Sequence, residues 1–343
     1  MIRKNNVSLK DVAAAAGVST SLVSFVLNGK QQQYRVNKDV AERVKKIAKE
    51  LNYKPNGLAK SLRNGSSKTI GVIVSDISNQ FFADIARNIE SATEGKGYMA
   101  LFASSDEDAV NMEKQVERML AKEVDGLILV PCNGSRNTIE RLSEMNVPFV
   151  LLDRYIPDLK SNYVSLDNVK AGYDATMHLL NQGYSKIAMV SYEGELVNIA
   201  GREEGYRQAM QDAGREEYIS INEVPMEDTA RFCGKAVSNL VESGADALLC
   251  ATNALTINCL RHIKDNDIRI PDDLAMVGFD GGGVFDFFYA PLTYFDQPLE
   301  IMARKSVDVL VEMLESGQGM MQQIEVAGKL IVRESSTKKK QNR

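Results

Sequence analysis

From Lys68 onward the chain alternates short apolar runs, rich in β-branched residues, with longer amphipathic stretches, and few folds accommodate that pattern. TIGVIVSD, YMALFAS, DGLILVP and PFVLLDR form one series. YVSL, KIAMVS, a weaker segment near Ile219 to Val224, DALLCAT and LAMVGFD form a second. Runs that are apolar at every position predict strands buried on both faces, as in a parallel sheet covered by helices. Two series of similar size in 343 residues predict two lobes rather than one long sheet. A helix over about Leu299 to Leu314 and a strand KLIVRE close the pattern, and the tail SSTKKKQNR reads as disordered.

Residues 1–54 follow a different rule. Ser8 is placed to cap a helix running to about Ala16, with Asp11 at the capping-box position and Gly17 supplying the turn after it. Ser19 caps a second helix from Thr20 to about Leu27, ended by Asn28 and Gly29. A third begins after Asn37 and runs to about Leu51, with Val40, Val44, Ile47, Ala48 and Leu51 on one face. Leu9, Val12, Ala13, Ala16, Val18, Val23, Val26 and Leu27 complete a small core. Three short helices with a tight turn between the first two predict a helix-turn-helix.

Charge separates the same two regions. Residues 1–68 hold 14 Lys/Arg against 4 Asp/Glu and the remainder 27 against 42, so a net charge of −5 conceals a strongly basic head. No window approaches the roughly 18 apolar residues of a membrane span. The start MIRKNNVSLK has no signal-like apolar stretch, so a cytoplasmic protein is expected. Cys132, Cys233, Cys250 and Cys259 form no CxxC pair, and His178 and His262 are the only histidines, which leaves little from which to build a zinc site or a catalytic triad. The scattered carboxylates make no catalytic pair, and the run Gly281-Gly282-Gly283 lacks the spacing and the lysine of a phosphate loop. The expectation is a protein that is not an enzyme and needs neither metal nor cofactor.

The ordered segments SLKDVAAAAGVSTSLVSFVLNG, LNYKPNGLAKSLRNG and IGVIVSDISNQFFADI closely resemble the start of the lac repressor (LacI/GalR) family of bacterial transcription regulators. LLDR, VSLDNVKAG, GREEGYRQAM, RIPDDLAMVGFD, PLTYFDQP and KLIVRES continue the resemblance to about residue 334. It implies a small all-α helix-turn-helix DNA-binding domain (1–54), a hinge helix and linker (55–67), a two-lobed α/β periplasmic-binding-protein-like core for ligand binding and dimerisation (68–334) and a disordered tail (335–343). It further implies a homodimeric repressor that binds a palindromic double-stranded DNA operator and is controlled by a small-molecule effector, a sugar or sugar derivative, in the interlobe cleft. Transcriptional activation, or a non-sugar effector such as a purine, remain open alternatives. The tail lacks the apolar heptads of a tetramerising coil.

In such a head the second helix enters the major groove, and its outward residues read base edges. Those residues are Thr20, Ser21, Ser24 and Phe25, with Asn28 just past the end. The resemblance puts Thr20, Ser21 and Phe25 at the positions that choose the base sequence, and many relatives carry arginine at the last of these. Phenylalanine cannot make the paired hydrogen bonds that select guanine but can pack on a thymine methyl, so A·T is expected there; the alternative is that Phe25 packs into the small core. Lys10, Lys30, Arg35, Lys38 and Lys60 are candidates to neutralise phosphates. The loop Gly29 to Val36 is about three residues longer than in the best-known relatives. In the hinge, Pro55 suits a first helical turn, and Asn56 to Arg63 is too short for a stable isolated helix, so folding on DNA is expected. Leu62 matches the family's leucine that enters the minor groove, with packing on its own lobe as the alternative.

Parallel sheets bind ligands beyond the carboxyl ends of their strands. Asp76 and Asn79 follow the first strand, Asp153 and Arg154 follow PFVLLD, Asn253 follows DALLCAT and Asp280 follows LAMVGF. The resemblance adds Phe82 and also Arg202, which precedes Gly205-Tyr206. It implies that Arg154, Arg202, Asn253 and Asp280 bond ligand hydroxyls while Phe82 packs on the ring. A structural ion pair or helix cap is the alternative for each polar residue. Two departures stand out: the family's Asn-Asp pair is Asn253-Ala254 here, and Gly281 to Gly283 follow Asp280, with Phe285, Phe287 and Phe288 nearby. The glycine run either admits a bulkier ligand or forms a flexible turn.

Overall fold

Capping chemistry local to the sequence starts the first three helices. In the computed structural model, which describes residues 7–53, 65–317 and 320–338, the chain divides into two units, Met1–Ser67 and Lys68–Arg343. Residues 54–64, with Pro55, Lys60 and Leu62, and residues 339–343 lie outside the described residues. Helix α1 (Leu9–Ala16) opens with a reciprocal capping box: Asp11 N donates to Ser8 Oγ at 3.3 Å, and Ser8 N donates to Asp11 Oδ2 at 2.7 Å. Gly17 ends it with φ of 63°, a left-handed conformation that would strain a side chain. Ser19 caps α2 (Thr20–Leu27) through Leu22 N, and Asn37 caps α3 (Lys38–Glu50) through Asp39 N. Val12, Ala13, Ala16, Val23, Val26, Ala41, Val44 and Ala48 form the buried core, with Leu9, Val18, Leu27, Ile47 and Leu51 half-buried around it. Among the described residues no single helix is long and apolar enough to cross a membrane.

Among its described residues the second unit holds two sheets. β1 (Thr69–Val74), β2 (Met99–Ser104), β3 (Gly126–Leu129), β4 (Phe149–Leu152), β5 (Tyr163–Leu166) and β11 (Gln323–Val326) form one six-stranded sheet, in the order β11-β5-β4-β3-β1-β2 with every pair parallel. β6 (Ile187–Tyr192), β7 (Ser220–Val224), β8 (Ala247–Cys250), β9 (Ala275–Phe279), β10 (Thr293–Asp296) and β12 (Lys329–Ile331) form the other, in the order β12-β10-β9-β8-β6-β7. Only the β10–β12 pair is antiparallel. The first sheet is packed through Ile70, Val72 and Val150 against the helices Gln80–Gly95 and Leu299–Ser316, and through Ile73, Leu127 and Leu129 against Ala109–Ala121 and Arg136–Glu144. The four cysteines are free and buried. Cys233, Cys250 and Cys259 sit within the core of the second sheet.

Three expectations need correction. YVSL, grouped with the second series, belongs to the first sheet, where Tyr163 sits opposite Leu151. Parallel strands need a covering connection, and here Tyr155, Ile156 and Leu159 pack back on the core in place of a helix, Tyr155 stacking on Tyr163 at 4.2 Å. Gln323–Val326, an edge strand with alternating exposure, carried no apolar run to announce it, and only KLI of KLIVRE is strand. Finally, the ordered chain continues past Glu334: Ser335 and Ser336 are fully buried, and Ser335 Oγ donates to Met276 O while accepting from Thr293 N.

Candidate functional site

Because nearly all the strands are parallel, the carboxyl ends of both sheets deliver polar loops to one cavity of about 250 Å³. Asp76, Asn79, Phe82, Arg154, Arg202, Asn253 and Asp280 all line it. None of Gly281, Gly282 and Gly283 does: they lead into the short helix Gly283–Phe287, whose Phe285 is buried in the core.

From the first sheet, Arg154 makes a bidentate pair with Glu107, Nη1 to Oε2 at 2.7 Å and Nη2 to Oε1 at 2.8 Å, and Nη1 also donates to Pro131 O. Asp153 beside it adopts φ of 66°, and its Oδ2 accepts from Asn198 Nδ2, on the helix Val197–Asp212 of the other lobe, at 3.2 Å. That helix crosses Asn168–Asn181 very closely. A Cβ on Gly172 would lie 2.1 Å from Arg202 O, and one on Gly205 would lie 2.0 Å from Val169 O. The close crossing holds Arg202, which is 1% exposed, under the cavity. There Nε donates to Asn168 Oδ1, Nη1 donates to Ala251 O, and the guanidinium lies 4.1 Å over the Phe279 ring. Asp280, at φ of 58°, accepts from Gln297 Nε2 at 2.7 Å, and its carbonyl accepts from Asn253 Nδ2 at 2.6 Å. Both aspartates hold a left-handed backbone conformation at the ends of equivalent strands, a form of stored strain that collects at sites.

Burial pushes the Asp280 carboxyl up to about 6, against the pull of Arg202 and the Gln297 hydrogen bond. Burial likewise raises Asp153, opposed by Arg154 and Arg202. Burial lowers Arg202, with Asp280 and Asp153 acting the other way. On Arg154 burial works against the charge, yet Glu107 and Asp153 hold its pKa above the ordinary guanidinium value. Asp153 Oδ1, Arg154 Nε and Gln297 Oε1 are buried with no hydrogen-bond partner among the described residues. Such orphans cost free energy unless a ligand or water meets them.

Asp76 and Asn79 line the same cavity, but their oxygens are already engaged locally: Asp76 accepts from Ser78 N and Oγ, and Asn79 caps the next helix through Phe81 N. Phe82 packs edge-on to Phe81 with centroids 5.0 Å apart. Sequence reasoning missed Glu107, Tyr192, Asn198 and Gln297. Glu107 and Gln297 follow strand ends, so the rule that found Asp153 and Asp280 could have reached them. Asn198 sits in the first turn of a helix and carried no signal. Among the described residues no group of three His, Cys, Asp or Glu side chains could hold a metal.

In the first unit, Thr20, Ser21 and Asn28 are exposed and Ser24 and Phe25 half-buried, all along one side of α2 as helical spacing requires. Asn28 Nδ2 folds back to donate to Ser24 O at 2.7 Å. Phe25 does not join the core but stacks on Tyr34, with ring centroids 3.7 Å apart and planes 3° apart. Lys10, Lys30, Arg35 and Lys38 are exposed and make no ion pair among the described residues, whereas Lys45 and Lys46 pair with Glu42 and Glu50.

Comparison with known proteins bears on both units. The family of bacterial regulatory proteins of the lacI type matches residues 8–56, and a periplasmic binding protein-like domain matches residues 176–336. The HTH-type transcriptional regulator RegA of Clostridium saccharobutylicum is 31% identical, with 96% of this chain and 99% of the relative covered. The HTH-type transcriptional repressor PurR of Haemophilus influenzae is 28% identical, covering 96% and 98%. Among solved structures, a lac repressor dimer bound to operator and an anti-inducer shares the fold with a TM-score of 0.86 at 23% identity, covering 97% and 100%. A complex of the transcriptional regulator CelR with cellobiose has a TM-score of 0.70 at 27% identity, covering 96% and 100%.

Proposed function

The chain belongs to the lacI family of bacterial regulatory proteins, whose relatives here are transcription regulators rather than enzymes, and from that premise we infer a cytoplasmic, homodimeric repressor of a palindromic operator. An uncharged, polyhydroxylated metabolite, a sugar or sugar derivative, controls its hold on DNA from the cavity. Thr20, Ser21 and Phe25 select bases, flanked by Ser24 and Asn28. Lys10, Arg35 and Lys60 neutralise phosphates, and Leu62 wedges into the minor groove.

The charge balance of the cavity carries the ligand class. Among the described residues that line it, Asp76, Glu107, Asp153 and Asp280 face two cations, Arg154 and Arg202, and no lysine. Arg154 is already matched by Glu107. A phosphorylated ligand would meet surplus negative charge, whereas hydroxyl groups supply the donors that carboxylates and Gln297 Oε1 lack, and Phe82 offers a surface for a sugar ring. A purine is the second reading, since its ring N–H and exocyclic amino groups would also donate to the carboxylates that line the cavity. A ligand that touches both lobes and favours one arrangement of them shifts the equilibrium by its difference in affinity.

A thermal-shift panel of neutral sugars, sugar phosphates and purines on the full chain tests this reading. A neutral sugar at ~100 times its Kd should stabilise the core by about 2.7 kcal/mol, and sugar phosphates should leave it unchanged. Stabilisation by purines alone, or by sugar phosphates alone, would reject the sugar reading.

The Asp280 carboxyl adds a pH signature. A ligand hydroxyl that donates to the ionised carboxylate binds less well once the group is protonated, so affinity should be flat from pH 8 to 7. It should weaken through about pH 6 and fall roughly tenfold for each further unit. Without ligand the sign reverses: a carboxyl raised in the folded state favours folding at low pH, and that contribution is lost as pH rises through about 6. Titration calorimetry at four pH values reads the first effect; affinity independent of pH would remove Asp280 from the contact.

A further inference from the structure

The stack between Phe25 and Tyr34 is the feature of the DNA-binding head that neither sequence periodicity nor the small core explains. Phe25 lies on the outer side of α2, beside Thr20 and Ser21, and has no place in the core. An isolated phenylalanine there would leave both ring faces in water and sample several rotamers. Tyr34 removes that freedom by covering one face with nearly parallel rings.

The loop that carries Tyr34 is closed at both ends. Lys30 N donates to Phe25 O at 2.8 Å, and Gly29 N donates to Val26 O, tying the loop's start to the last turn of α2. Tyr34 N then donates to Lys30 O at 3.1 Å and Val36 N to Gln31 O at 2.8 Å, which folds the segment into a turn. Val36 packs at the edge of the small core and fixes the far end. Arg35, with φ of 49°, reverses the chain just after Tyr34. Tyr34 is still 48% exposed, so it is held by this turn and by Phe25 rather than by burial.

Resting on the reading of α2 as the base-selecting helix, we propose that Tyr34 is a specificity-determining residue that acts through Phe25: its ring clamps the Phe25 ring in one orientation, and the pair presents a rigid apolar edge to the 5-methyl group of a thymine. The loop Gly29 to Val36 thereby supplies discrimination by apolar contact, which a phenylalanine cannot supply by hydrogen bonds to a base edge. A flexible phenylalanine pays entropy on each contact, and a preordered one does not.

The test uses the full chain and duplexes it selects from random DNA. Binding is then measured by fluorescence anisotropy on the selected duplex and on versions in which each thymine in turn is replaced by uracil, which removes only the methyl. For the unaltered protein, one position in each half-site should lose about fourfold in affinity on this replacement, the worth of one buried methyl group. Phe25→Ala and Tyr34→Ala should both flatten that loss to less than about twofold, Tyr34→Phe should keep it, and the salt dependence of binding should stay the same in all four.

Three results would overturn the proposal. In one, Tyr34→Ala retains the full methyl discrimination. In another, it weakens binding to every duplex equally, as loss of a phosphate contact would. In the third, Tyr34→Phe behaves like Tyr34→Ala, which would place the effect in the hydroxyl rather than the ring. Failure of the unaltered protein to select any sequence would instead reject the base-selecting reading itself, an outcome distinct from these.

Discussion

Arg202→Met is expected to abolish the ligand response and to weaken the ligand-binding core. Arg202 is fully buried, and its Nε and Nη1 donate to Asn168 Oδ1 and Ala251 O. Methionine fills a similar volume on Phe279 but leaves both acceptors unmet and removes the cation that opposes the rise of Asp153 and Asp280. Truncating one partner of a buried, hydrogen-bonded charge cluster costs about 3–5 kcal/mol, so ligand affinity should drop by at least about 100-fold and the core should melt earlier. Arg202→Lys separates the two effects. It keeps the charge but cannot hold both acceptors in one plane, so it should preserve more of the stability than of the affinity. Thermal melts with and without ligand read both; undiminished ligand affinity in Arg202→Lys and Arg202→Met would remove the residue from the site.

Gly205→Ala should be the most damaging single-methyl change in the core. The added carbon would stand 2.0 Å from Val169 O and 2.5 Å from Tyr173 N, both backbone atoms of the facing helix. Ordinary contact requires about 3.4 Å, so the helices Asn168–Asn181 and Val197–Asp212 must separate by an ångström or more along a crossing built for contact. Overpacking of this kind costs about 3 kcal/mol or more, and it would also draw Arg202 and Asn198 away from the cavity. Gly95→Ala is the matched control. It lies at the end of the helix Gln80–Gly95 with open space around it, where alanine should stabilise by roughly 0.5–1 kcal/mol. Denaturant midpoints that move in opposite directions for the two substitutions are the expected result; equal, small shifts would contradict the close crossing.

What the sequence revealed divides along the range of the forces involved. The Ser8–Asp11 capping box, the left-handed Gly17 and the cap at Ser19 depend on neighbours within three or four residues, and each is legible. The strand runs are legible because burial on both faces demands apolar residues throughout. Lobe membership is not: Tyr163–Leu166 and Gln323–Val326 are assigned to the first sheet by pairing with each other and with β4, across gaps that no local pattern encodes. In the cavity, Asp153, Arg154, Asn253 and Asp280 were reachable from the rule about strand ends, and Arg202 and Phe82 from family resemblance. Asn198 reaches Asp153 only because two lobes meet, a contact between residues 45 apart that no short spacing signals. The stack of Phe25 on Tyr34 depends on how one loop closes, which composition does not determine.

The central claim is that a ligand in the cavity controls how the head holds DNA. The most direct measurement is the Kd of the full chain for its selected operator duplex at fixed salt, with and without a saturating concentration of the ligand found by thermal shift. Coupling between two such sites is typically about 1–3 kcal/mol, so the operator Kd should change by roughly fivefold to 150-fold. Arg202→Lys should bind the operator as the unaltered protein does without ligand, and that same ligand concentration should shift its operator Kd much less. An operator Kd that stays constant while the ligand demonstrably occupies the cavity would contradict the account.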